Sequence, residues 1–105
     1  MRRFRIKICG ISTIEDAMRA IESGADAIGL NFYEQSSRYV EAFTAMEIST
    51  AVHSAIATVG VFVNSPASDI AELTEHLQLS AVQLHGDEDP KIADALDGID
   101  VVRAI

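Results

Sequence analysis

Short apolar runs rich in Val, Ile and Ala alternate along this chain with longer stretches whose apolar residues recur at spacings of three and four. The cycle repeats roughly every 20 to 30 residues, and a chain written this way folds as consecutive right-handed βαβ units around a parallel sheet. The runs that read as strands are Arg5 to Cys9, Asp26 to Phe32, Thr58 to Asn64, Ala81 to Leu84 and Val101 to Ile105. The third is β-branched enough to be buried on both faces.

The intervening stretches carry helix signals. Ser12-Thr13-Ile14-Glu15 offers a capping box for the first helix, whose Ile14, Ala17, Met18 and Ile21 share a face. Ser23-Gly24 closes it with glycine in the left-handed stop position. Tyr33 to Tyr39 is polar and aperiodic, and a second helix then runs through Phe43, Met46, Ile48 and Val52 without glycine or proline. Ser65-Pro66 starts the third, with serine as cap and proline at the first helical position, and Ile70, Leu73 and Leu77 form its stripe. Asp89-Pro90 repeats that device for a short fourth helix with Ile92 and Leu96 inward, ended by Gly98. Pattern alone admits an open doubly wound sheet or the first half of a (β/α)8 barrel.

At 105 residues the chain is one domain or part of one. A closed α/β barrel typically needs ~250 residues. The composition, 49% hydrophobic and 23% charged, implies a packed soluble domain and excludes disorder. A net charge of −8 without a clustered basic face excludes a nucleic-acid surface, and Arg2 and Arg3 read as a solvated amino-terminal arm. No apolar run has signal-peptide length and no uncharged stretch reaches ~18 residues, so the expectation is a cytoplasmic protein with no membrane partner. The single cysteine cannot form an internal disulfide.

That cysteine ends the first strand, at the edge where parallel α/β folds build their active sites. Lys7 lies on the same strand face, roughly 7 Å from Cys9, where its charge would favour a thiolate; the alternative is a packed core thiol with Lys7 balancing a buried carboxylate. Gln83 and His85 alternate with Val82 and Leu84 and so point together to the opposite face, His85 as a satisfied interior imidazole or as a group that hydrogen-bonds substrate. Asn64 and Asn31, each near a strand end, are candidates for polar lining, whereas Asp87 and Glu88 read as loop and helix-start charges. His53 and His76 fall on separate helices with no thiol or carboxylate at ligand spacing, and no glycine-rich nucleotide motif follows a strand, so neither a metal nor a cofactor is expected.

The residues of four segments then choose between the two architectures. Lys7-Ile8-Cys9-Gly10-Ile11, Gly24 to Tyr33 leading to Ser36-Ser37-Arg38-Tyr39-Val40, Val59 to Asn64, and Val82-Gln83-Leu84-His85-Gly86-Asp87-Glu88 resemble the phosphoribosylanthranilate isomerases of tryptophan biosynthesis, in family order and spacing. The resemblance implies a TIM (β/α)8 barrel, of which residues 1–105 are the N-terminal half: four βα units and the fifth strand. It further implies a cofactor-free Amadori rearrangement of N-(5-phosphoribosyl)anthranilate, a small phosphosugar-anthranilate substrate, with Cys9 as the general base. Arg38 occupies the place of the arginine that grips the substrate's carboxylate, with Lys7, His85 and Asn64 as further substrate contacts. Without the family Arg38 would read as a solvent-facing loop residue. Ser37 and Glu34 stand where the family often has proline, which is expected to loosen the loop aiming Arg38.

In the family the general acid is an aspartate ending strand six, and loops after strands seven and eight hold the phosphate. The expectation is therefore that these 105 residues are inactive alone and that their free strand edges favour a homo-oligomer or a complementing C-terminal half. The alternative function is a non-catalytic half-barrel module for binding or self-assembly. Indoleglycerol-phosphate synthase and ribulose-phosphate epimerase are argued against by the Lys7 to Gly10 and Ser36 to Arg38 pairing.

Overall fold

A computed structural model describes residues 5–89 and 91–103, so the Arg2-Arg3 arm, Pro90 and the last two residues of the run expected as the fifth strand lie outside it. Strands β1 (Lys7–Ile8), β2 (Ala27–Asn31), β3 (Ala57–Phe62), β4 (Ala81–Leu84) and β5 (Val101–Arg103) alternate with helices α1 (Ile14–Glu22), α2 (Ala42–Val52), α3 (Ala67–Leu77) and α4 (Ile92–Ala95). All neighbouring strands pair in parallel, in the order β1-β2-β3-β4-β5. A doubly wound sheet reverses its strand order at a switch point, and this one never does. Strictly sequential pairing is the arrangement of a (β/α)8 barrel, of which these elements form four βα units and a fifth strand.

Parallel register divides the strand residues between two environments. Ile28, Leu30, Phe62, Val82 and Leu84 belong to the large core that includes Ala17, Ala20, Ala45, Ile48, Val52, Ile70 and Leu77 of the helices. The opposite face carries a separate small cluster of Ala27, Val59 and Ala81, with Ala57 against it. All the helices thus cover one face, as the outer ring of a barrel does, and the other face is the inner wall. Thr58 to Phe62 are buried throughout, as the β-branched run predicted.

Helix boundaries follow local chemistry, with shifts of one residue. The α1 cap is Thr13, whose hydroxyl accepts from the Asp16 N–H at 3.0 Å, so Ser12 lies one residue outside the box. At the other end Gly24 adopts φ +89°, and the Gly24 and Ala25 N–H groups reach back to the Ile21 and Ala20 carbonyls. Pro66, not Ser65, caps α3: its ψ of 143° keeps it extended while its carbonyl accepts from Asp69 and Ile70. Asp89 accepts the Lys91 N–H at 2.9 Å ahead of α4.

The expected inward face of α1 holds at Ala17 and Ile21 and is corrected at Ile14 and Met18. Ala17 and Ala20 are buried, whereas Ile14 and Met18 remain 42% and 44% exposed. Alanine lets the helix axis approach the sheet closely, and that proximity pushes the longer side chains to the flank. On α2 the same selection buries Ala45, Ile48, Ser49 and Val52 and leaves Phe43 72% exposed.

The first strand is shorter than its apolar run because the Arg5 and Ile6 N–H groups donate to the Asp26 carboxylate, at 2.7 and 2.8 Å, rather than to a ladder. Those backbone bonds, Arg5 first, hold the Asp26 pKa below its ordinary 3.8. A folded-state pKa lowered in this way stabilises the fold above the unfolded value and is lost as pH falls through the folded one. Asp26→Asn should therefore lower the urea midpoint at pH 7, and the gap from the parent should close as pH falls below ~4.

Close packing on the helical face is sharpest at Gly60. A Cβ there would stand 2.7 Å from Leu79 Cδ1 and 2.9 Å from Phe62 Cε2, the latter ring stacked on Phe32 at 5.2 Å. Gly60→Ala should destabilise the domain by ~1–3 kcal/mol through overpacking, read as a lower urea midpoint with an unchanged m value.

Candidate active site

The carboxyl ends of β1 to β4 carry the chemistry-bearing residues to one rim. Cys9 follows β1 directly, Asn31 ends β2, Val63 and Asn64 follow β3, and His85 follows β4. Beneath this rim the inner wall carries the short or branched side chains of Ala27, Ala57, Val59 and Ala81, together with the paired Lys7 and Gln83.

The Cys9 side chain is aimed at the inner face by a glycine. A Cβ on Gly29 would lie 3.0 Å from Cys9 Sγ and 3.2 Å from its Cα, so the sulfur fills the volume a side chain would take. Gly29 lies between Ile28 and Leu30, whose side chains enter the helical core, so this volume is on the inner face. The thiol is exposed to solvent there. Sequence reasoning passed over Gly29; a glycine inside an otherwise buried apolar strand is the signal of such close approach.

Arg38 reaches the same corner from the loop after β2. Gly10, at φ +78°, has the Arg38 Cγ and Cδ 3.2 and 3.4 Å from where its Cβ would be. The stem of the arginine thus lies over the glycine that follows the cysteine. The loop is held by its own bonds despite Glu34 and Ser37: the Ser36 hydroxyl accepts the Arg38 N–H at 3.1 Å and the Tyr39 N–H donates to the Ser36 carbonyl. Asn31 anchors its two ends, with its Oδ1 accepting the Tyr33 N–H and its carbonyl the Val40 N–H.

Two cavities meet at Cys9, Gly10 and Asn31. One, of about 650 Å³, adds Arg38 together with Asp16 and Arg19 of α1. The other, of about 470 Å³, adds Tyr33, Gln83 and His85. Cys9 therefore lines both the cavity that Arg38 borders and the one that His85 borders. His85 and Gln83 face the cavity while Val82 and Leu84 are buried under the helices.

Two further expected site residues line neither cavity and are held by neighbours. The Lys7 Nζ donates to the Gln83 Oε1 across the inner wall, and Lys7 lines neither cavity. Asn64 lines neither as well: at φ 52° its side-chain oxygen rests against Gly86, and its N–H donates to Glu88. Glu88, read from the sequence as a helix-start charge, is instead buried between two loops. His53 and His76 come together on a smaller cavity between the ends of α2 and α3, and no carboxylate or thiol lines it. Among the described residues no group of three or more His, Cys, Asp or Glu could hold a metal ion, and no helix is long and apolar enough to cross a membrane.

Known proteins resemble this chain closely. The family model described as N-(5'-phosphoribosyl)anthranilate (PRA) isomerase matches residues 6–105. An N-(5'-phosphoribosyl)anthranilate isomerase of Thermotoga neapolitana is 45% identical over 102 residues, covering 96% of this chain and 50% of that protein. Among solved structures, a phosphoribosyl anthranilate isomerase in complex with reduced 1-(o-carboxyphenylamino)-1-deoxyribulose 5-phosphate is 41% identical with a TM-score of 0.92, over 98% of this chain and 54% of that one. Monomers made from the dimeric isomerase of Thermotoga maritima superpose with a TM-score of 0.90 at 40% identity, over 98% of this chain and 53% of theirs. The chain spans about half the length of the relatives it matches. A match from the start of the first strand to the final residue, at such identity, means that this chain belongs to the N-(5'-phosphoribosyl)anthranilate isomerase family.

Proposed function

We propose that these residues form the base-bearing half of a site for the Amadori rearrangement of N-(5-phosphoribosyl)anthranilate. The observation that carries it is the shared corner of Cys9 and Arg38, with the arginine stem lying over Gly10. A guanidinium held there offers two parallel donors to the substrate's anthranilate carboxylate. That grip brings the sugar's C2 toward Cys9, where a thiolate removes the C2 proton from the iminium formed on ring opening. His85, on the second cavity that the thiol lines, is placed to donate to a sugar hydroxyl. The relative crystallised with the reduced carboxyphenylamino-deoxyribulose phosphate supports a ligand of this class. The acid that opens the ring and the grip on the phosphate belong, by family resemblance, to the half of the relatives that this chain does not match.

The test is a fusion in which residues 6–105 replace the matching half of the Thermotoga maritima relative, followed by loss of substrate fluorescence. Cys9→Ala should cut kcat by ~10² to 10⁴ with little change in KM. Arg38→Ala should raise KM by roughly tenfold or more, as expected for a lost charge-assisted pair. A folded fusion in which Cys9→Ala turns over at the parent rate overturns the proposal.

A second reading, assembly between copies, is favoured by the edge of the sheet. Strand β1 pairs only with β2 among the described residues, and Ile6 and Ile8 beside that edge are 52% and 36% exposed. An open parallel edge with apolar flanks invites pairing, which the −8 charge opposes only modestly. Light scattering should show a dimer or larger species at micromolar concentration, and Ile6→Lys should shift it toward monomer; a monodisperse monomer in the parent chain counts against assembly.

A further inference from the structure

We propose that Glu88 is a positioning residue that sets His85 at the cavity wall by tying the loop after β4 to the loop after β3. The inference rests on the isomerase reading of the cavity, and adds to it the device that holds one wall in place.

Glu88 is 6% exposed, an unusual place for a carboxylate unless the fold uses its charge. Its Oε2 accepts the Asn64 N–H at 2.7 Å and its Oε1 accepts the Gly86 N–H at 2.9 Å. These are the peptide groups that directly follow Val63 and His85, the two residues these loops present to the cavity. One carboxylate therefore fixes both peptides at once, through charge-assisted bonds that are roughly twice as strong as neutral ones.

The loops are shaped to let it do so. Asn64 takes the left-handed φ of 52°, which asparagine tolerates better than most residues and which turns its N–H toward Glu88. Gly86 has no side chain because a Cβ would fall 2.8 Å from Asn64 Oδ1 and 3.1 Å from Asn64 N. The second distance is to backbone, which cannot swing away. Asn64, Gly86 and Glu88 thus form one unit, and the exposed Asp87 between the last two is left on the outside.

The exchange and line-shape measurements use the full 105-residue chain. Glu88→Gln preserves shape, yet one of its terminal groups is a donor and cannot serve both N–H groups. Exchange of the Asn64 and Gly86 amides should speed up by roughly tenfold or more, with the buried strand amides of Ile28 and Val82 unchanged. The His85 imidazole resonances should broaden. The reduced carboxyphenylamino-deoxyribulose phosphate should bind the fusion of residues 6–105 with the relative's other half, and bind its Glu88→Gln form several-fold more weakly, and that difference should vanish in a His85→Ala background. An equal loss with and without His85, or unchanged exchange at Gly86, overturns the proposal. If the unsubstituted fusion binds no analogue, the isomerase reading is what fails, and the Gly86 exchange with the His85 line shape in the 105-residue chain still decides whether Glu88 sets the loop.

Discussion

Everything at the rim depends on parallel register. Residues paired across neighbouring parallel strands point to the same face, so one alternation propagates from Lys7 and Ala27 through Ala57, Val59 and Ala81 to Gln83. A slip of one residue anywhere would send the helical core into the barrel and the inner wall out to the helices. Burial disfavours that slip, because it would take Ile28, Leu30, Phe62, Val82 and Leu84 out of the core they share with the helices. Burial of these apolar chains is thus what holds the strand ends in line.

Glycine does the complementary work. At positions 29, 10 and 86 the missing side chain is replaced by another residue's atoms: the Cys9 sulfur, the Arg38 stem and the Asn64 amide. Each pairing joins two loops or strands at the rim. The cysteine and the arginine owe their closeness to two such exchanges, and the wall opposite owes its shape to a third. A site held by packing of this kind needs few direct bonds between its functional groups.

Much of this was readable beforehand. β4 runs from Ala81 to Leu84 as its apolar run says, and Gly24 stops α1 as its position says, because both are decided by residues adjacent in the chain. The inward face of α1 was readable only in part: Ala17 and Ile21 pack on the core as expected, but Ile14 and Met18 stay exposed and Ala20 takes the place beside the sheet. Glu88 was misplaced as well. Its partners Asn64 and Gly86 are backbone groups, one of them 24 positions away, and an amide N–H leaves no mark in a sequence.

Neighbour-level chemistry was enough to decide the order of strands and helices, the points at which helices stop, and the face on which Cys9 and His85 lie. The side-chain period and the helix caps act within a few residues, so the linear code holds them to within one residue. Contacts across the rim were decided only by folding. Lys7 donates to Gln83, 76 positions away, and the stem of Arg38, a residue that stays exposed, lies against Gly10. Those outcomes depend on register and on vacant volume between strands, and both come into being when the sheet closes over its core.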